Sequence, residues 1–197
     1  MNVKAQGLLN AARFIEEHHG RDMLGEIVRA CSPSVRDRYV SAIAINWHPM
    51  EELCEFVEVA ERCIGSPPGK LGEQIGAAGA RANMKGVLLR IAFYVTNPEF
   101  MMKRIAGLWS QFNDRGSMLL LVIGKDMVRL EVTGVPHPNS TFCSILTGWC
   151  NEVAVAIGVD GPVARHIECR ALHAKRCIWE VRGSFLERMG KNDRPKV

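Results

Sequence analysis

The sequence predicts an α+β fold, with a helical N-terminal half packed on an antiparallel sheet of two hairpins and one long helix between them. Three observations carry that reading. Apolar residues recur at helical spacing through roughly the first half of the chain. At Gly116 the period changes to two, with Val128, Leu130 and Val132 on one face and Arg129 and Glu131 on the other. Cap and turn residues divide the chain into segments of helix or strand length.

The elements follow in order. Val3 to His19 is a predicted helix with Leu8, Leu9, Ala12 and Ile15 apolar, ending at Gly20. Asp22 can cap a second, short helix whose stripe is Leu24, Ile27 and Val28. Ser32 before Pro33 is a cap and first-turn pair that opens a third helix through Tyr39. Pro49 opens a longer helix with Leu53, Phe56, Val57 and Ala60 on one side, and Ser66-Pro67-Pro68-Gly69 stops it. Leu71 to Tyr94 is apolar and dotted with glycine, the pattern of one or two closely packed helices. Asn97 caps a further helix through Phe112, with Pro98 in its first turn.

Ser117 to Ile123 and Met127 to Val132 are predicted strands joined by the turn Gly124-Lys125-Asp126. Asn139 or Ser140 caps a helix reaching about Ile157. Val163 to Ala171 and Arg176 to Arg182 form the second hairpin. No repeat or linker divides the chain. Residues 1–187 read as one domain, mainly helical over 1–115 and sheet-forming over 116–183, and 188–197 read as a polar tail.

Composition narrows the function. The chain has 197 residues, 47% of them hydrophobic and 23% charged, which is an ordinary globular balance. No apolar run is long enough to span a bilayer, and the amphipathic start does not resemble a signal peptide, so a cytoplasmic protein with no membrane partner is expected. The net charge of +4 is spread thinly, with no dense basic face, so nucleic acid is not an expected partner. No nucleotide loop, hydrolase triad or open-coordination metal motif is visible, so no enzyme activity is expected.

Seven cysteines in such a chain point away from a disulfide framework and towards metal ligation or buried thiols. Cys31, Cys54 and Cys63 lie among apolar residues of helical pattern and read as core. Cys169 and Cys177 flank a short loop centred on His173, so they oppose each other across a hairpin, at about 4.5–5.5 Å between Cβ atoms. That spacing suits two thiolates on one metal. His166 lies three residues before Cys169, on the opposite face of a regular strand, so joint ligation requires a bulge between them. Cys143, at the start of the intervening helix, can add a fourth donor. Cys143, His166, Cys169 and Cys177 would make a closed tetrahedral set, as in structural zinc sites. On spacing alone, four buried or surface side chains without metal remain an equal alternative.

The run Cys143-Ser-Ile-Leu-Thr-Gly-Trp149, then His166-Ile-Glu-Cys169-Arg-Ala and Cys177, resembles the 4-vinyl-reductase (4VR) domain. It is most similar to the version in the sensor modules of phenol- and toluene-responsive bacterial regulators. Those modules carry three cysteines and a glutamate that bind structural zinc. The resemblance implies zinc here too, with His166 at the glutamate position and Glu168 or His173 as competing fourth ligands. His173 stands where the family has a turn glycine.

The wider superfamily joins 4VR domains, heme nitric-oxide-binding domains and vesicle-tethering TRAPP subunits. It implies a pocket between helices and sheet, with Phe93, Tyr94, Phe100, Met101, Ile105, Trp109, Phe112 and Phe142 as its candidate wall; the same residues also fit an ordinary core. The implied function is a zinc-stabilised sensor or regulatory domain. It would bind a small apolar or aromatic ligand, form a homodimer and signal through an effector protein. Two alternatives stand beside it. One is a dimeric TRAPP-like interaction scaffold. The other is a heme-based gas sensor, which needs a proximal histidine and a Tyr-x-Ser-x-Arg motif; Tyr39-Val-Ser41-Ala-Ile43 begins that motif and lacks its arginine.

Overall fold

In a computed structural model the described residues are 1–84, 107–122, 126–156 and 159–184. The chain opens with β1 (Asn2–Lys4), which pairs antiparallel with β2 (Trp47–Pro49), Val3 opposite His48. This ladder corrects the expected helix start at Val3. Strands of three residues are too short to show a period of two, so nothing local announced them. Residue Asn2 is also held by Asp114, whose carboxylate accepts from its backbone and side-chain N–H groups at 2.7 and 2.9 Å.

Helix α1 (Gln6–Ala30) is interrupted where expected. Gly20 has φ 86° and ψ 164°, a conformation costly for any residue with a Cβ, and the helix resumes beyond it. Helix α2 (Pro33–Ser41) begins on the expected cap: the Ser32 hydroxyl accepts from the Val35 N–H, while Glu55 accepts from both the backbone and the hydroxyl of Ser32. Pro49 precedes α3 (Met50–Ile64), and Gly65 closes it in the left-handed conformation at φ 72°. Helix α4 spans Lys70–Met84, and residues 107–112 are helical.

The second half is β3 (Ser117–Val122), β4 (Met127–Thr133), α5 (Ser140–Ala156), β5 (Asp160–Glu168), a 3-10 turn (Arg170–Leu172) and β6 (Cys177–Ser184). The sheet order is β3-β4-β6-β5, antiparallel throughout. Both expected hairpins and the helix between them are therefore present. Of the two candidate caps for α5, Asn139 serves: its Oδ1 accepts from the N–H groups of Thr141 and Phe142 at 2.8 and 3.1 Å.

One face of the sheet supplies Met118, Leu120, Val128, Leu130, Val132, Trp179 and Val181 to a core shared with α1, α3 and α5. Two glycines set the α4–α5 distance. A Cβ on Gly76 would collide with the Ile145 carbonyl, and one on Gly148 with the Glu73 carbonyl. The backbones of the two helices therefore touch, which only residues without side chains allow. This contact fixes α5, the helix that contributes to both the thiol cluster and a partly open cavity.

Candidate metal centre

Three elements converge on one point. Cys143 comes from the first turn of α5, His166 from β5, Cys169 from the residue after β5 and Cys177 from the first position of β6. One ligand atom from each lies within 4.8 Å of the other three. The Cys143 and Cys169 sulfurs are 4.0 Å apart. Sulfurs bound to one tetrahedral zinc at about 2.3 Å stand about 3.8 Å from each other, so the donors already sit close to coordinating distance. All seven cysteines are free thiols.

The expected bulge is present. The β5–β6 register shifts between His166 and Glu168. His166 pairs with Trp179 on the core side, and the shift lets Cys169 follow on that side despite its three-residue offset. Glu168 pairs with Ile178, so Cys169 and Cys177 take the next opposed positions. The turn between them is closed by the N–H groups of Leu172 and Ala174, both donating to the Cys169 carbonyl at 3.0 Å.

His173 closes the 3-10 turn at φ 66°, the conformation for which glycine is favoured, and its side chain is exposed. Glu168 forms an ion pair with Arg176 at 3.5 Å. Neither belongs to the group of four side chains, in which His166 stands beside the three cysteines.

Neighbouring groups hold these side chains in place. The His166 imidazole stacks on the Trp179 indole, and its Nε2 is buried without a hydrogen-bond partner. Trp179 Nε1 donates to Thr147 Oγ1 at 2.8 Å, and Thr147 Oγ1 donates to the Cys143 carbonyl at 2.9 Å. The Arg170 N–H points at the Cys177 sulfur at 3.4 Å, and the Arg170 guanidinium anchors on the Val135 carbonyl at 2.6 Å. A bond from the Cys143 thiol, assisted by His166 and the Arg170 N–H, holds the Cys177 thiol well below its ordinary range. The same bond, together with burial, pushes the Cys143 thiol up, so Cys177 is the more acidic of the pair. By contrast Cys150, buried on α5 with no charged partner, is pushed up to about 12 and is an inert core thiol.

A cavity of about 110 Å³ lies where α5 faces α1 and α4. Trp109, Phe112 and Phe142 line it, as expected from the sequence; Phe93, Tyr94, Phe100, Met101 and Ile105 lie outside the described residues. Trp109 and Phe142 meet edge to face at 6.4 Å. Sequence reasoning missed Ile145, Leu146 and Trp149, which follow Phe142 at three, four and seven residues and complete one helical face. That spacing was available in the sequence. It also missed Asn10 of α1, buried in the same wall with its Oδ1 accepting from Gln6.

No protein-family model and no curated protein matches this chain. Solved structures do. An H-NOX protein from S. oneidensis in the Fe(II)NO ligation state aligns over 91% of this chain and 98% of its own, at 12% identity and a TM-score of 0.66. The Fe(II) unliganded H-NOX protein from K. algicida aligns over 98% and 99%, at 10% identity and 0.67. A mutant H-NOX domain from Shewanella oneidensis in the Fe(II)CO ligation state aligns over 96% and 99%, at 12% identity and 0.70. The chain therefore has the heme-nitric-oxide-binding type of fold.

Proposed function

We propose that this chain is a zinc-clamped sensor or regulatory domain that binds a small apolar or aromatic ligand and acts through a partner protein. One observation carries the proposal: the convergence of ligand atoms of Cys143, His166, Cys169 and Cys177 to within 4.8 Å of one another, an imidazole nitrogen among three thiols. Three sulfurs and one imidazole are a donor set for zinc, and four protein donors leave no open position, so the role is structural. The ion would tie α5 to the β5–β6 hairpin, elements far apart in sequence, and metal affinity would become folding free energy. The 4VR resemblance supports the same reading and carries homodimerisation with it.

The cavity supports the ligand class. Its volume of about 110 Å³ is well under the roughly 300–1,000 Å³ of drug-sized sites, and its named wall is mostly aliphatic and aromatic. Engineered apolar cavities of about 150 Å³ hold a single benzene ring. A single-ring aromatic, taken up beside Trp109, Phe142 and Trp149, is the class that fits.

The fold neighbours favour a second reading, a heme-based sensor. The residues of this chain do not fit it. Its six histidines are His18, His19, His48, His137, His166 and His173, so residues 49–136 hold none. None of the six lines the cavity. His18 stacks on Phe14, His48 faces Glu52, and His19, His137 and His173 are exposed. Reconstitution with hemin separates the two readings. The zinc-clamped domain gives no stoichiometric Soret band and loses thermal stability in strong chelator. A one-to-one Soret complex, with melting unchanged by chelator, would replace it by the heme reading.

A further inference from the structure

Residues 40–47 form an apolar tip remote from the thiol cluster in sequence and in the sheet. Val40 is 83% exposed, Ile43 59%, Ile45 74% and Trp47 41%. No charged residue occurs from Tyr39 to Met50. Single exposed apolar side chains are ordinary on a protein surface; four in eight residues form a patch that marks an interaction.

Several hydrogen bonds hold the carbonyls of the tip from within. The Asn46 N–H donates to the Ile43 carbonyl at 2.9 Å, the Gln6 N–H to Ala44 at 3.1 Å, and the Ala5 N–H to Asn46 at 2.9 Å. The Lys4 ammonium donates to the Ile45 carbonyl at 2.6 Å. Four consecutive carbonyls, Ile43 to Asn46, therefore keep a partner when the tip leaves water, which lowers the cost of docking it on an apolar surface. The same bonds fix the shape of the tip before anything binds, so little ordering entropy is lost on docking.

The base of the tip is cationic. The Lys4 ammonium lies 3.7 Å from the centre of the Trp47 ring. Arg36 lies exposed on α2, one helical turn before Val40; Arg38 is bonded to Glu52, and Asp37 is the acidic neighbour. Exposed aliphatic side chains beside an indole and basic groups are the composition of a membrane-interface segment, in which acyl chains meet the first and headgroups the second. The patch area also selects among partners. Four side chains expose a few hundred Å², below the roughly 800 Å² per partner of a stable protein interface. Shallow insertion into a bilayer needs no more.

We infer that residues 40–47 dock on an anionic lipid surface. Val40, Ile43 and Ile45 enter the acyl boundary, and Trp47, Lys4 and Arg36 lie among the headgroups. Such a contact needs no spanning helix, and among the described residues no helix is long and apolar enough to be one. The inference is independent of the metal and of the cavity.

Co-sedimentation of the full chain with vesicles of phosphatidylcholine and phosphatidylserine at 3:1 tests it, beside vesicles of phosphatidylcholine alone. The wild type is expected to bind the mixed vesicles more tightly than the neutral ones. Ile45→Glu is expected to weaken that binding by roughly tenfold or more, and Arg36→Glu to weaken it by several-fold on the anionic vesicles only. Leu119→Glu, which changes an exposed leucine on β3, is expected to bind as wild type. Circular dichroism melting verifies that each variant is folded. No binding to either vesicle overturns the inference, as does equal binding by folded Ile45→Glu. A concentration-dependent dimer abolished by Ile45→Glu, without vesicle binding, would assign the tip to a second copy of the chain and overturn it equally.

Discussion

The imidazole of His166 lies flat on the indole of Trp179, their ring centroids 4.1 Å apart and their planes 9° from parallel. The stack joins the thiol cluster to the centre of the sheet, because Trp179 is fully buried and hydrogen-bonded through Thr147 to the backbone of Cys143. His166 is held by this packing with a ring nitrogen beside the three sulfurs, and its Nε2 is buried without a hydrogen-bond partner.

His166→Ala removes one of four donors and the stacked ring together. It is expected to lower zinc affinity by more than roughly a hundredfold, beyond the loss typical of an outer-shell partner. His166→Glu restores a donor of the kind carried by the resembling family and is expected to keep one metal per chain. Competition titration against a chromophoric chelator measures both. Wild-type affinity in His166→Ala would transfer the fourth position to another group.

The fold-level link between cluster and cavity is the glycine contact of α4 with α5. Gly76→Ala places a methyl against the Ile145 carbonyl, which as backbone cannot swing away. Overpacking of this kind costs about 1–3 kcal/mol, which lowers the melting temperature by several degrees in a chain of this length. Gly25→Ala, whose Cβ would meet only the flexible end of Arg29 at 3.4 Å, is the matched comparison and is expected to melt as wild type or higher. Equal melting of the two variants would show that α4 and α5 are not held at contact distance.

The helical half carries its own titration. Burial raises the Glu52 carboxyl, but the bonds from Ser34 at 2.7 Å and Arg38 at 2.9 Å outweigh it and hold the group below its usual value. Burial lowers the His48 imidazole by more than the adjacent Glu52 raises it. Both groups are depressed in the folded state, so the unfolded chain binds more protons as the pH falls. Their stabilisation is complete above the unfolded values, and is lost from about pH 6.5 downwards, first through the imidazole and then through the carboxylate. Glu52→Gln is expected to cost roughly 1.5–3 kcal/mol at neutral pH, and the gap from wild type is expected to narrow towards about pH 4. Thermal melting across that range decides it; a gap independent of pH would remove Glu52 as the titrating group.

The clustering of Cys143, His166, Cys169 and Cys177 was legible in the sequence because metal chemistry restricts which residue types are worth grouping, and because the offset from His166 to Cys169 demanded a bulge that is present. Asn139, the alternation of β4 and the cap at Ser32 were legible for the same reason: each reflects a local rule. The pairing of Val3 with His48 was not, since it joins two three-residue strands through distant contacts. Nor was the partner of Gly76. The glycine-dotted run announces close packing, but which carbonyl it meets is decided by tertiary structure. Trp149 was overlooked although its position, seven residues after Phe142, puts it on the cavity face.

Metal content per chain decides whether the four side chains hold zinc. Untagged protein purified without added zinc is analysed by elemental mass spectrometry, beside Cys169→Ser and the core-thiol control Cys150→Ser. One zinc per chain in wild type and in Cys150→Ser, lost in Cys169→Ser, is the expected result. Wild-type protein that is folded and free of zinc, and that gains none on incubation with the metal, would contradict it.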